Sequence, residues 1–161
     1  MPEQLNRQRP AVTVLMAVYN AERFLADAIT SILKQTFSDF ELLIIDDGST
    51  DQTADVVRQF SDSRIQFMLA GQRLGLPGAL NLGLENASGD LVARHDHDDI
   101  SDPLRLEQQV ACHLGKLEAV VAHPHHHAAP LLRVKAHEAK VQAKDALDGD
   151  KRGGGGEDEP G

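Results

Sequence analysis

The sequence is poor in cysteine and aromatic residues, and it contains no long hydrophobic run. Cys112 is its only cysteine, which excludes an internal disulfide framework and favours a reducing, cytoplasmic compartment. The longest largely apolar stretch, residues 11–18, is too short to span a bilayer, so no transmembrane segment is expected. Residues 1–10 lack the apolar centre of a signal peptide. We therefore expect a cytoplasmic protein, with peripheral attachment to the inner face of a membrane as the alternative.

Positive charge is also scarce. The 161 residues include 16 Lys and Arg against 25 Asp and Glu, which gives a net charge of −9. Because such a surface repels a phosphate backbone, we expect no nucleic-acid partner. The length and the apolar fraction of 41% are ordinary for one globular domain with its own core.

The composition changes along the chain. All five Phe and the only Tyr precede Met68, whereas five of the six Lys and six of the eight His follow Cys112. We therefore divide the chain into an N-terminal tail (1–10), a domain (11–112) and a low-complexity tail rich in His, Ala, Lys and Gly (113–161). The weak patterning of this second tail predicts disorder. A frame-shifted origin and a histidine-rich metal-binding tract are the alternatives.

Strand and helix patterns alternate within residues 11–112. Apolar, β-branched runs predict strands, and apolar residues at three- and four-residue steps predict helices. The predicted strands are 11–18, 40–45, 64–69 and a fourth from 91, and the predicted helices are 21–35, a second that follows Ser49 and runs to about 60, 76–87 and a fourth from 101. This order indicates an α/β fold with a doubly wound, mainly parallel, Rossmann-like sheet.

Helix-start signals precede three of the predicted helices. Asn20 is placed to cap the first helix, and Ser49 with Gln52 has the spacing of a capping box for the second. Asp102 before Pro103 is a strong start for the fourth.

Acidic residues follow two of the predicted strands. Asp46 and Asp47 end the second, and an Asp-x-Asp (DXD) pair, Asp96 and Asp98, ends the fourth. In a parallel sheet both groups lie at the carboxyl edge, where ligands bind. Carboxylates suit Mg²⁺ or Mn²⁺, which fill their other positions with water and phosphate. An acidic turn that caps the following helix is the alternative interpretation.

Glycine-rich phosphate-binding motifs are absent. The sequence has no Gly-x-Gly-x-x-Gly after its first strand and no Gly-x-x-x-x-Gly-Lys-Ser/Thr. If phosphate binds at the carboxyl edge, a metal ion must therefore neutralise it.

Several linked segments together resemble the N-terminal, nucleotide-binding half of family 2 glycosyltransferases, which have the GT-A fold. These segments are 14–20 (VLMAVYN), 35–37 (QTF), 44–51 (IIDDGSTD), 75–81 (GLPGALN) and 93–101 (ARHDHDDIS). The resemblance covers about residues 11–112, in one order and with natural spacing.

The resemblance implies roles for residues at the first two strand ends. Ala17, Val18 and Tyr19 would line the nucleotide base, with the Tyr19 ring available for stacking. Asp47 would accept a hydrogen bond from the base, with Asp46 beside it.

The resemblance also implies a phosphate and metal subsite at the fourth strand. Asp96 would contact the ribose, and Asp98 would bind a divalent metal, with Asp96 as the second candidate ligand. Arg73 and Arg94 are the candidates for steadying the phosphates. The family has small or apolar residues where this chain has His95 and His97. We interpret these two histidines as solvated loop residues, with metal ligation as the alternative.

The implied activity is metal-dependent, inverting transfer of a sugar from a nucleoside diphosphate sugar, with UDP-sugars favoured, to an unknown acceptor. In the family the catalytic base and the acceptor pocket lie further along the chain. We therefore assign no catalytic base, and we expect this chain to be a truncated form that lacks the acceptor-binding half. The alternatives are a non-catalytic nucleotide- or metal-binding module and a nucleotidyltransferase. An exposed sheet edge would favour a homo-oligomer.

Overall fold

The computed structural model describes residues 9–114 and 132–133. Strands and helices alternate from the start, as predicted. The elements are β1 (Val12–Val18), α1 (Leu25–Leu33), β2 (Phe40–Asp46), α2 (Thr53–Arg58), β3 (Ile65–Leu69), α3 (Gly75–Asn86), β4 (Leu91–Arg94), α4 (Arg105–His113) and β5 (Leu132–Arg133). The predicted disorder and histidine tract of residues 113–161 fall almost entirely outside the described residues.

The five strands form one mainly parallel sheet. Their order is β3-β2-β1-β4-β5, and the first four run parallel to one another. The two-residue β5 pairs antiparallel with β4 and was not predicted, because so short a segment carries no readable pattern. The predicted α/β class with a mainly parallel sheet is confirmed.

Both faces of the sheet carry a buried core. Alternate residues of β1 face opposite sides: Val12, Val14 and Met16 join one cluster, and Leu15 joins the other. The first cluster includes apolar residues of α1, α2 and α4, and the second includes residues of α3. Helices thus pack on both faces, which explains why β1 and β2 read as continuous apolar runs.

Two glycines allow close packing against β1. A Cβ at Gly83 of α3 would lie 2.2 Å from Leu15 Cδ1, so the helix can pack this close to the sheet only without a side chain there. A Cβ at Gly89 would lie 2.5 Å from the backbone nitrogen of Thr13. These contacts fix the position of α3 and of the turn into β4.

Two predicted helix caps are wrong. Neither α1 nor α2 has a side-chain cap on its N-cap residue, and α1 begins at Leu25 rather than at 21. Asn20 and Ser49 instead join the loops that follow β1 and β2, since Asn20 Oδ1 accepts a hydrogen bond from Thr50 N–H and Ser49 Oγ accepts one from Asn20 N–H. Contacts between the two loops therefore replace the local caps.

The predicted start of the fourth helix is close to the observed one. Asp102 Oδ1 accepts a hydrogen bond from Leu104 N–H at 2.8 Å, and α4 begins at the next residue, Arg105. No helix within the described residues is long and apolar enough to cross a membrane.

Candidate functional site

The candidate site lies where the strand order reverses. Chain order runs from β1 outward through β2 to β3 and then returns to β4 on the other side of β1. In open α/β sheets, ligands bind at the carboxyl ends of the strands on either side of such a switch. The predicted site residues reach this edge from β1, β2 and β4, and from the loop before α3; they are Ala17, Val18, Tyr19, Asp46, Asp47, Arg73, Arg94, Asp96 and Asp98.

The two aspartates that end β2 have different surroundings. Asp46 is the last residue of the strand, and its Oδ1 accepts a hydrogen bond from Ser49 N–H at 2.8 Å, which holds the turn through Gly48. Asp47 is buried, and its Oδ1 accepts a hydrogen bond from Leu74 N–H at 2.5 Å. Asp46 therefore shapes the turn, whereas Asp47 ties the end of β2 to the loop before α3.

Arg73, in the loop formed by residues 71–75, lies over the ring of Tyr19. The guanidinium carbon of Arg73 lies 3.4 Å from the ring centroid, which is a close cation–π contact. Gly71 and Gly75 have φ angles of +78° and +74°, so both ends of the loop adopt a conformation that favours glycine. Tyr19, Asp47 and Arg73, three residues singled out from the sequence, thus form one cluster.

The loop after β1 is bound to the loop after β2 by further hydrogen bonds. Ala21 N–H donates to Thr53 Oγ1 at 2.8 Å, and Glu22 N–H donates to Asp51 Oδ2 at 3.1 Å. In return, Gln52 N–H donates to a Glu22 carboxylate oxygen at 2.9 Å. These contacts hold Tyr19 and Asp47 in fixed relation. They were missed from the sequence because each joins residues about 30 positions apart.

The residues that follow β4 form an acidic loop on the other side of β1, running from His95 to Asp99. Asp96 Oδ1 accepts a hydrogen bond from Arg94 Nε at 3.0 Å and lies 2.9 Å from Arg94 Nη2, in a half-exposed ion pair. Asp98 is exposed and forms no ion pair with the described part of the chain. The structure therefore leaves the Asp98 carboxylate available to a ligand, while Asp96 is already paired.

His95 is buried, so its interpretation as a solvated loop histidine is wrong. The residue is 3% exposed, and Arg105 Nη1 lies 3.0 Å from its Nδ1. Burial, reinforced by the positive charge of Arg105, lowers the pKa of His95 to about 4, so the ring is neutral at pH 7. Because a guanidinium can only donate, Nδ1 must be an acceptor here and is not free to bind a metal ion. His97 is half-buried.

Gln35 links α1 to the start of α4. Its Nε2 donates to the carbonyl oxygen of Asp102 at 2.6 Å, and its Oε1 accepts from Leu106 N–H at 2.9 Å. Gln35 lies within one of the segments that carry the family resemblance, yet the sequence alone gave it no role. The structure shows that it fixes the helix that follows the acidic loop.

The donor set determines which metal ion the acidic loop suits. The described residues contain no group of three or more His, Cys, Asp or Glu side chains placed to enclose a metal ion. Mg²⁺ and related ions often use one or two protein carboxylates, with water and phosphate as the remaining ligands. An exposed Asp98 with Asp96 nearby in the loop fits an ion of that kind, and it does not fit a structural zinc site.

Known glycosyltransferases are similar to this chain. A putative glycosyltransferase, EpsE of Bacillus subtilis, is 44% identical over 105 residues, which are 63% of this chain and 38% of EpsE. The UDP-Glc:alpha-D-GlcNAc-diphosphoundecaprenol beta-1,3-glucosyltransferase WfgD of Escherichia coli is 43% identical over 100 residues, which are 62% of this chain and 40% of WfgD. The chain therefore spans about two fifths of the length of these relatives.

Solved glycosyltransferase structures share the fold. S. aureus TarS 1-349 in complex with UDP-GlcNAc matches with a TM-score of 0.59 and 30% identity, over 62% of this chain and 30% of that one. Mannosyltransferase PcManGT from Pyrobaculum calidifontis, in complex with GDP-Man and Mn²⁺, has a TM-score of 0.59 and 27% identity, over 65% of this chain and 32% of that one. The sheet described above is accordingly GT-A-like.

A family model described as glycosyl transferase family 2 matches residues 13–147. The match starts in β1 and continues past residue 112, where the resemblance found in the sequence ends. It includes every residue of the candidate site. Because the match covers well over half of the chain, the protein belongs to glycosyl transferase family 2.

Proposed function

We propose that this chain binds the nucleoside diphosphate sugar donor of a metal-dependent glycosyltransferase, with a uridine diphosphate sugar as the preferred donor. The observation that carries the proposal is the pairing of two clusters at the topological switch. Tyr19, Asp47 and Arg73 lie on the β2 side of β1, and the acidic loop lies on the β4 side. The Tyr19 cluster has the side chains to bind a nucleotide base, and the acidic loop has the side chains to bind a diphosphate through a metal ion.

The base subsite consists of the Tyr19 ring, Arg73 and Asp47, beside Ala17 and Val18 at the end of β1. Leu74 N–H occupies one oxygen of the Asp47 carboxylate and so fixes its orientation. The second oxygen can then accept the N3–H of uracil, which cytosine does not have. A flat base would stack against the aromatic ring or the guanidinium plane.

The diphosphate subsite consists of the acidic loop with Arg94. Asp98 would hold the divalent ion, Mn²⁺ or Mg²⁺, and Asp96 would contact the ribose or supply a second ligand. When bound, the ion would stabilise the negative charge of the departing diphosphate. Arg94 aligns Asp96 through the ion pair at 2.9 Å and contributes positive charge beside the phosphates. TarS with UDP-GlcNAc and PcManGT with GDP-Man and Mn²⁺ are neighbours whose ligands match this chemistry.

The proposed reaction is an inverting glycosyl transfer. It requires a carboxylate that deprotonates the acceptor hydroxyl, and we assign that base to no residue of this chain. The acceptor also stays unassigned. Membership of family 2 favours glycosyl transfer over the nucleotidyl transfer that was the alternative from the sequence.

Isothermal titration of the full chain with UDP, with and without Mn²⁺, tests the proposal. We expect saturable UDP binding that Mn²⁺ strengthens, because Asp98 would hold the ion and the ion would offset the negative charge of the diphosphate. Circular dichroism on the same sample establishes that the protein is folded. A folded protein that binds no UDP at millimolar concentration, with or without Mn²⁺, would contradict the proposal.

Replacement of Asp47 by Asn tests the base subsite separately. The Asn side chain keeps an oxygen for Leu74 N–H but replaces the second oxygen with an NH₂ group, which cannot accept the uracil N3–H. We expect UDP affinity to fall by about 1 kcal/mol, roughly fivefold. Affinity for CDP should be unchanged or increased, because the new NH₂ group can donate to cytosine N3. An unchanged ratio of UDP to CDP affinity would exclude Asp47 as the base-reading residue.

A further inference from the structure

Arg105 contacts both ends of the acidic loop. Its Nη2 donates to the carbonyl oxygen of Arg94, the last residue of β4, at 2.8 Å. Its Nη1 donates to Ser101 Oγ at 2.9 Å and lies 3.0 Å from His95 Nδ1. One guanidinium therefore bridges the residue before the loop, the first residue of the loop and a residue just after it.

The bridge is geometrically specific. A guanidinium is planar and presents five N–H donors in a rigid fork, so it can hold several acceptors in a fixed arrangement. A lysine ammonium keeps the charge but cannot reproduce the fork. Since Arg105 can only donate, His95 is held in the tautomer that carries its proton on Nε2.

The backbone that carries Arg105 is itself held in place by contacts with the core. It is the first residue of α4, and the next N–H of that helix, from Leu106, donates to the buried side chain of Gln35. Leu106 is fully buried in the core. The N–H of Ser101 is also held, since it donates to Ser31 Oγ of α1 at 3.1 Å. Through Arg105, the acidic loop is thus held in a fixed position relative to α1 and α4.

The charge of Arg105 acts on the same loop. Burial lowers the pKa of Arg105, and the carboxylates of Asp99 and Asp96 oppose that shift. The guanidinium therefore lies within electrostatic range of the acidic loop and reduces the mutual repulsion of its carboxylates.

We propose that Arg105 is a positioning residue for metal binding: its fork holds the acidic loop in the geometry in which Asp98 would bind the divalent ion of the proposed donor site. This inference rests on the proposed function and adds to it a residue that touches neither the nucleotide nor the ion. Residues that orient metal ligands typically contribute about tenfold or more to metal affinity or activity.

The test measures how much Mn²⁺ strengthens UDP binding in Arg105→Gln and Arg105→Lys. We expect the Mn²⁺ enhancement to fall about tenfold in both variants, while UDP affinity without metal stays unchanged, because the base subsite lies on the other side of β1. Ser101→Ala removes one acceptor of the fork without touching the charge, and it should lower the enhancement in the same direction by a smaller factor. This milder variant decides the question if the Arg105 variants do not fold.

Arg64→Gln is the matched control. Arg64 is also partly buried, pairs with Asp62 at 2.8 Å and stacks on Phe40, but it lies at the amino end of the sheet. Its loss should lower the unfolding temperature and leave the Mn²⁺ enhancement intact. An equal loss of enhancement in Arg64→Gln, or full enhancement in Arg105→Lys, would overturn the positioning role. If the unmodified chain shows no Mn²⁺-dependent UDP binding, the proposed function itself fails. If the unmodified chain shows such binding and the Arg105 variants match it, only the positioning role of Arg105 fails.

Discussion

Replacement of Asp98 by Asn is expected to lower the Mn²⁺-dependent affinity for UDP at least about tenfold, or about 1.4 kcal/mol. The substitution keeps the size and shape of the side chain and removes one negative charge from a site for a hard cation. Asp98 is exposed and has no ion pair within the described residues, so the free energy of unfolding should hardly change. Titration with and without Mn²⁺, with circular dichroism as a check on folding, measures the effect.

Asp102→Asn is the control for this prediction. Asp102 is another exposed carboxylate close in sequence to the acidic loop, and its Oδ1 accepts a hydrogen bond from Leu104 N–H. An Asn side chain can accept the same bond, so both the start of α4 and UDP binding should be preserved. Equal losses in the two variants, or no loss in Asp98→Asn, would mean that the acidic loop is only a turn and a cap, and the metal assignment would be withdrawn.

The sheet and the location of the site could be predicted from the sequence because both depend on local signals. The continuous apolar runs of β1 and β2 indicate strands buried on both faces, and in the structure nearly every residue of both strands is buried. Because parallel strands share one carboxyl edge, aspartates that follow two such strands both lie at that edge. Tyr19, Asp47 and Arg73 were singled out by the family resemblance, and the structure brings them into one cluster.

The contacts that fix this edge could not be predicted, because they join distant parts of the chain. Asn20 looked like a helix cap, but its side chain binds a loop 30 positions away. His95 looked like a solvated loop residue, but it is buried, and the half-buried Arg105, which follows ten positions later, faces it across the loop. Polar residues in loops satisfy their hydrogen bonds with whichever group the tertiary fold brings near, and single-sequence patterns do not encode that choice.

Gln35 is the strongest case of such a contact, and Gln35→Leu is expected to lower the free energy of unfolding by about 2–3 kcal/mol. Its side chain is 6% exposed; Nε2 donates to the carbonyl oxygens of Asp102 at 2.6 Å and Ser31 at 3.3 Å, and Oε1 accepts from Leu106 N–H. Leucine has a similar volume, so packing should be kept while all three hydrogen bonds are lost. The larger part of the cost comes from the Leu106 N–H, which is buried and has no access to water as a replacement partner.

Urea unfolding of Gln35→Leu and of two comparison variants measures this cost and assigns it. Gln59→Leu is the matched control, because Gln59 is exposed at the end of α2 and its replacement should change stability by less than about 0.5 kcal/mol. Gln35→Glu keeps an acceptor for Leu106 N–H but places a carboxylate against the Asp102 carbonyl, so it should also be destabilised. A Gln35→Leu variant as stable as Gln59→Leu would show that α4 and the acidic loop before it do not depend on this link, and that the start of α4 is held by the packing of Leu106 alone.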